Sequence, residues 1–139
     1  MKKEISKSEV MQLLLQACPS YQKQWDAYVQ DNYENGDEQL LYIDLADFAT
    51  HFVDLCKKHE LREFPAVFDV IELLHISGDD FVKEAASVGL LEDLQNRLLS
   101  NAINMNAFNQ YLKQESLKWW NHLNDFWDSK TKYDGGPEK

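Results

Sequence analysis

The stretch QWDAYVQDNYENGDEQLLYIDLADFATHFVDLC, residues 24–56, combines a helical repeat with a one-sided charge. Phe48 and Phe52 belong to an apolar series at the spacing of one buried helix face. Asn35-Gly36 is a turn signal within a polar loop that precedes this series. The stretch therefore predicts a helix, a polar loop and a second helix that begins at Asp44.

Apolar spacing along the rest of the chain predicts further helices, and no stretch alternates apolar and polar residues with the period of a strand. The predicted helix starts are Ser6 (with Glu9 completing a capping box), Pro19 or Ser20, Asp44, Phe64-Pro65, Asp79-Asp80, Leu90, Asn104 and the region of Gln114 to Ser116, with Gly89 ending the fifth helix. The predicted fold class is all-α, a compact bundle of about seven or eight short-to-medium helices. We expect one helical domain over residues 1–129 and a polar, disordered C-terminal tail over residues 130–139.

Charge is concentrated in the middle of this 139-residue chain, whose formal net charge is −10. Residues 26–93 hold seventeen acidic and four basic side chains, a net charge of −13. Nucleic acid and anionic membranes are bound by Lys and Arg, so we expect neither as a partner. The first residues lack the apolar region of a signal peptide, and no apolar run is long enough to span a membrane. With only two cysteines, Cys18 and Cys56, the sequence predicts a reduced, cytoplasmic protein.

Four side chains of the stretch have spacing that could bring ligands for a metal together. Asp44, Asp47, His51 and Asp54 lie at i, i+3, i+7 and i+10 of the predicted helix. Such a site would be rich in oxygen with a single imidazole. We favour the alternative that these residues are helix caps and a solvated face, and we predict no metal and no cofactor.

Sequence motifs of catalysis are missing from the chain. It has no His-Glu-x-x-His pair, no Cys-x-x-Cys pair, no glycine-rich phosphate loop and no nucleophile elbow. A cysteine nucleophile would need an electropositive setting, and this chain offers the reverse. We therefore predict no catalytic residue.

The last helix carries three tryptophans that could resemble a ligand-binding box: Trp119, Trp120 and Trp127. We interpret them as packing this helix across the bundle.

The strongest functional signal is the acidic stretch itself. Residues 24–56 contain eight Asp or Glu, no Lys or Arg, and four interleaved Trp or Tyr side chains. An uncompensated acidic surface attracts and steers a cationic partner, and aromatic anchors rimmed by charge are typical of tight interfaces. The alternative is that the acids only keep the protein dispersed in water. The candidate interface residues are Asp31, Tyr33, Glu34, Asp37, Glu38, Asp47, His51 and Asp54.

Local patterns along nearly the whole chain resemble a family of small bacterial helical domains. The patterns are Cys18-Pro19 followed by Trp25, Ile71–Leu74 with Gly78-Asp79, residues 88–96 (VGLLEDLQN), and Glu115-Ser116 with Trp120 and Phe126-Trp127. The resemblance is to immunity proteins of polymorphic or contact-dependent toxin systems. It implies a helical scaffold, and it assigns no functional residue to this chain.

The resemblance and the charge together lead to one functional expectation. Antibacterial toxins that act on nucleic acid tend to be basic, and an inhibitor can present carboxylates in place of phosphate. We expect a bacterial immunity protein that binds a cognate toxin or effector domain with a basic surface. The alternative is a non-enzymatic adaptor or regulatory module that binds a basic peptide or subunit. An enzyme with a metal or carboxylate site ranks third.

Overall fold

Helices make up most of residues 3–127, the part of the chain that the computed structural model describes. The seven α-helices are α1 (Val10–Ala17), α2 (Gln22–Asn32), α3 (Leu41–Lys57), α4 (Phe64–Ser77), α5 (Asp80–Glu84), α6 (Glu92–Ser100) and α7 (Gln114–Trp127). Single 3-10 turns lie at Lys7–Glu9, Pro19–Tyr21 and Met105–Phe108, and a π-helical segment, Ala85–Leu91, joins α5 to α6. Over residues 3–127 there is no strand, only an isolated bridge between Ile5 and Gly78. The predicted all-α class is confirmed.

The core lies between α3 and α4, the two long central helices. α3 packs against α6 and the π-helical segment, while α4 packs against α1, α5 and α7. Phenylalanine rings fill the space between them: Phe52 stacks on Phe64 with ring centroids 4.2 Å apart, and Phe68 and Phe108 lie against both. All four rings are buried. Aromatic pairs at such spacing add stability beyond the area they bury.

Several helix starts follow the sequence signals. The Ser6 amide donates a 3.0 Å hydrogen bond to the Glu9 carboxylate, which is half of the predicted capping box. The Asp79 carboxylate accepts from the Val82 amide at 2.9 Å and begins α5. Pro65 stands in the first turn of α4, where its missing N–H leaves no bond unmade.

Three predicted boundaries are wrong. α3 begins at Leu41 rather than Asp44, because Leu40 acts as its N-cap residue. The helix after Asn104 is only the 3-10 turn Met105–Phe108. Gly89 does not end a helix and Leu90 does not begin one, because both lie buried inside the π-helical segment and the helical backbone is continuous from α5 through α6.

Glycine is favoured at position 89 because the Tyr42 ring packs closely against the backbone there, and not because the chain turns. A Cβ atom there would lie 3.3 Å from the Tyr42 ring of α3. The Tyr42 ring therefore packs onto the backbone of the π-helical segment. The space around Gly78 is smaller than that around Gly89. A Cβ atom at Gly78 would lie 2.5 Å from the Leu74 carbonyl oxygen and 2.6 Å from the Val82 side chain.

A buried carboxylate on α4 holds the start of α7. Glu72 accepts hydrogen bonds from the amides of Glu115 at 3.0 Å and Ser116 at 2.9 Å. Burial would raise the pKa of Glu72, but these amide bonds hold its pKa below the ordinary value. Trp120 of α7 is buried and its neighbour Trp119 is half-buried against the core, in agreement with the packing role predicted for these two side chains. The side chain of Trp127, for which the same role was predicted, lies outside the described part of the structure. The predicted disordered tail, residues 130–139, lies outside the described residues.

Candidate functional site

Asp44 of the acidic stretch points into the protein. Its carboxylate is fully buried and accepts hydrogen bonds from the Tyr28 hydroxyl at 2.7 Å, the Tyr33 hydroxyl at 2.7 Å and the Gln39 amide at 3.0 Å. The prediction that Asp44 caps the start of α3 is wrong, since Leu40 is the N-cap residue and Asp44 is buried in the first turn. Burial and the Asp44 carboxylate raise the pKa values of Tyr28 and Tyr33, so both hydroxyl groups stay protonated as donors.

Asp47, one turn further along α3, is also turned toward α2. It accepts from the Tyr21 hydroxyl at 2.5 Å and from the Gln24 amide at 3.3 Å. Asp54 forms an ion pair with Lys58 at 3.0 Å. Among residues 3–127, no group of three or more His, Cys, Asp or Glu is placed to hold a metal ion.

Three exposed acids of the stretch lie on the loop between α2 and α3, and two more, Asp26 and Asp31, lie on α2. We call residues 33–39 the acidic loop; it presents Glu34, Asp37 and Glu38 to solvent. Its turn is closed by two bonds between the same residues: the Glu34 amide donates to the Asp37 carboxylate at 2.9 Å, and the Asp37 amide donates to the Glu34 carbonyl at 3.1 Å. Gly36 takes the left-handed conformation, with φ of 88°, that the predicted Asn-Gly turn needs.

Lys7, from the N-terminal segment, reaches this loop. Its ammonium group lies 3.6 Å from the Glu38 carboxylate and 5.7 Å from the centre of the Phe81 ring. Glu38 remains mostly exposed in this pair. The absence of cations between residues 24 and 56 in the sequence is thus offset in space by two lysines, Lys7 at Glu38 and Lys58 at Asp54. Two of the three loop acids keep no ion pair among the described residues.

An exposed apolar surface adjoins the acidic loop, and sequence reasoning missed it. Leu40 and Ile43 are 51% and 54% exposed on the first turn of α3, and Phe81 of α5 is 44% exposed. Tyr42 lies between Leu40 and Ile43 in the chain, and its ring meets the Phe81 ring edge-on at 5.8 Å. We call these four residues the apolar patch. The sequence offered a signal: Leu40 to Ile43 is an uninterrupted apolar run, more than one helix face can bury.

His51, a predicted interface residue, belongs to a different cluster. Its Nε2 atom lies 2.9 Å from the Ser20 hydroxyl, which donates in turn to the Glu63 carboxylate at 2.5 Å. The Ser20 amide and the Cys18 thiol also donate to Glu63, at 3.0 and 3.3 Å. This carboxylate ties the 3-10 turn Pro19–Tyr21 to the start of α4.

The hydrogen bonds among Ser20, His51 and Glu63 run differently from those of a catalytic triad that activates a serine. In a catalytic triad the histidine accepts the serine proton and the carboxylate holds the other ring nitrogen. Here the Ser20 proton goes to Glu63, so His51 can only donate to the hydroxyl oxygen. The neighbouring thiol of Cys18 is no better suited, since burial raises its pKa to about 12.

The structure thus divides the eight candidate residues into two groups. The first group is exposed on or beside the acidic loop and comprises Asp31, Glu34, Asp37 and Glu38, with Tyr33 half-buried beneath them. The second group, Asp47, His51 and Asp54, lies along the side of α3 that faces α2 and the Pro19–Tyr21 turn, and each member already has a partner within the chain. Only the first group adjoins the apolar patch through the start of α3.

Comparison with known proteins places the chain in a family. The profile of DUF7674, described as a domain of unknown function, matches residues 11–128, so the chain belongs to this family. No curated protein and no solved structure matches the chain significantly. Within residues 3–127, no helix has the length and apolar character needed to cross a membrane.

Proposed function

We propose that this DUF7674 protein is a binding protein that receives a positively charged protein partner on the acidic loop and the apolar patch. The observation that carries the proposal is the contiguity of the two features. Glu38 of the acidic loop lies two residues before Leu40 of the apolar patch, and Lys7 contacts both Glu38 and Phe81.

The acidic loop supplies steering and orientation. Glu34, Asp37 and Glu38 are exposed within a turn that is closed by hydrogen bonds, so three carboxylates are presented in a fixed arrangement. Complementary charge raises association rates and discriminates against wrong partners more than it adds affinity.

The apolar patch supplies the area to bury. Half-exposed Leu40, Ile43 and Phe81 would each gain about 1 kcal/mol on losing their remaining contact with water. Their arrangement, apolar side chains flanked by charge, matches the general anatomy of protein interfaces. A surface that only dispersed the protein in water would need the carboxylates and would have no use for these side chains.

In its specific form, the proposal is a bacterial immunity protein that acts in the cytoplasm. It would bind one toxin or effector domain stoichiometrically and block its active site or the approach of its substrate. Support comes from the resemblance of the sequence patterns and from the charge complementarity with a basic toxin. The chain would act without catalysis, through a rigid scaffold and its charged surface.

The experiment is co-expression with the product of the gene immediately upstream. We expect that the protein restores growth of cells that produce the upstream protein and co-purifies with it in a fixed ratio. Co-purification without any toxicity of the partner would favour the alternative, an adaptor for a basic subunit. Absence of both rescue and co-purification would reject that gene product as the cognate toxin.

A further inference from the structure

An apolar cleft lies on the molecule away from the acidic loop, between the C-terminal end of α3 and the segment that precedes α7. Its volume is about 430 Å³, within the range of small-molecule sites. Phe64, Ile103, Ala107 and Tyr111 form its apolar walls. The partly exposed Tyr111 ring meets the buried Phe64 ring edge-on with centroids 5.5 Å apart, so the accessible aromatic surface of the cleft comes from Tyr111 with Phe64 behind it.

Two loops, each with one residue in the left-handed conformation, border this cleft. His59, after α3, has φ of 58°, and Ala102, after α6, has φ of 57°. Each turn is closed by a backbone bond, from the Glu60 amide to Leu55 at 2.9 Å and from the Ile103 amide to Leu98 at 2.9 Å. The cleft is therefore held open by hydrogen-bonded backbone on two sides.

Charge in the cleft is opposite to that of the whole protein. The chain has 24 acidic residues, yet no described carboxylate lines the cleft, and the exposed Lys57 is one of its lining residues. Lys57 also lines an adjoining polar cleft that contains Arg97 and Asp54. Lys57 forms none of the ion pairs seen among the described residues. An ammonium beside apolar and aromatic walls is complementary to an anion with an aromatic body.

We propose that this cleft binds a small aromatic carboxylate, with the aromatic ring between Ile103, Ala107 and the Phe64–Tyr111 pair and the carboxylate on the ammonium group of Lys57. This site is independent of the acidic loop and the apolar patch. The protein would thus carry a ligand site in addition to its protein-binding surface.

The test is a titration with 1-naphthoate, followed by 1H–15N NMR chemical shifts, with 1-naphthamide as the uncharged probe of the same shape. We expect saturable shifts at the cleft residues with a Kd below about 1 mM. Lys57→Gln should weaken naphthoate binding by about tenfold. The control Lys58→Gln, whose side chain pairs with Asp54 instead of lining the cleft, should change it by less than about twofold.

Filling the cleft gives a second, charge-independent test. Ala107→Trp should weaken both probes by at least about tenfold, whereas Lys57→Gln should leave naphthamide binding unchanged. If Ala107→Trp does not fold, the comparison of Lys57→Gln with Lys58→Gln still decides. The proposal is overturned if naphthoate shifts no cleft residue up to about 10 mM, if it shifts only the apolar patch, or if the two lysine variants bind it equally.

Discussion

The Tyr33 hydroxyl donates a 2.7 Å hydrogen bond to the buried Asp44 carboxylate and accepts a 2.9 Å bond from the Leu40 amide. One side chain at the start of the acidic loop thereby holds both the first turn of α3 and the residue before it. This anchor explains how a loop with three like charges keeps a fixed shape. The internal acid Asp44 positions the external acids Glu34, Asp37 and Glu38.

Removing the Tyr33 hydroxyl tests this anchor. Tyr33→Phe loses two hydrogen bonds and should lower the free energy of unfolding by about 2 kcal/mol. Tyr28→Phe is the matched control, since its hydroxyl donates to the same carboxylate but has no backbone partner; it should cost about 1 kcal/mol. Urea unfolding of both variants measures the difference, and a greater loss in Tyr28→Phe would contradict the anchoring role.

Asp44 itself should be far more important for stability than an exposed acid of the same stretch. Asp44→Asn replaces one acceptor oxygen with a donor that faces other donors, and we expect a loss of about 2–3 kcal/mol. Asp31→Asn, at the exposed C-terminal end of α2, should change stability by less than about 0.5 kcal/mol. Equal effects in chemical denaturation would show that Asp44 is not buried with its three donors.

Much of the helical pattern could be predicted from the sequence because its signals are local. Four predicted features depend only on neighbours in the chain: the caps at Ser6 and Asp79, Pro65 in a first turn, and the Asn35-Gly36 turn. The structure confirms all four. Gly89 could not be predicted in the same way. Its role depends on Tyr42, which is remote in sequence and packs onto it through the fold.

In the candidate site, too, the local features could be predicted and the features that depend on contacts between distant residues could not. Exposure of Glu34, Asp37 and Glu38 follows from their place in a polar loop. Asp44 and Asp47 carry the same charge but bond to tyrosines of the preceding turn and helix, which the sequence does not reveal. Phe81 carries no local signal for exposure, yet the fold leaves it 44% exposed beside Tyr42.

Acidification should destabilise the protein through His75. Burial lowers the pKa of His75 in the folded state, although the nearby carboxylates of Glu72 and Glu115 oppose this. The unfolded chain therefore binds more protons below about pH 6.5, and stability falls as pH decreases through that value.

The measurement is the free energy of unfolding between about pH 7.5 and 5.5. His75→Gln should reduce its slope, and the remaining slope should be reduced further by His51→Gln, since burial lowers the pKa of His51 as well. Glu72 does not interfere, because its pKa is lowered and its contribution is lost only at pH values below about 4.5. An unchanged slope in His75→Gln would refute the assignment.

The two buried glycines should respond differently to alanine. Gly78→Ala places a Cβ atom against the backbone oxygen of Leu74, which cannot yield, so we expect a loss of about 2 kcal/mol or more. Gly89→Ala meets the partly exposed Tyr42 ring, which can move by a few tenths of an ångström, and gains up to about 1 kcal/mol of helix propensity. Thermal unfolding should therefore show Gly89→Ala within about 1 kcal/mol of the parent protein, and a larger loss there than at Gly78 would contradict this packing.

The most direct test of the proposed surface is the association rate with the co-purified partner at low and high salt. The loop variant replaces Glu34, Asp37 and Glu38 with Lys. The control variant replaces three other exposed acids, Glu60, Asp69 and Asp125, with Lys, so both variants carry the same formal net charge. We predict that the loop variant slows association by about tenfold or more at low salt and loses most of its salt dependence, while the control stays within about threefold. Equal rates for the two variants would contradict the assignment of the acidic loop as the docking surface.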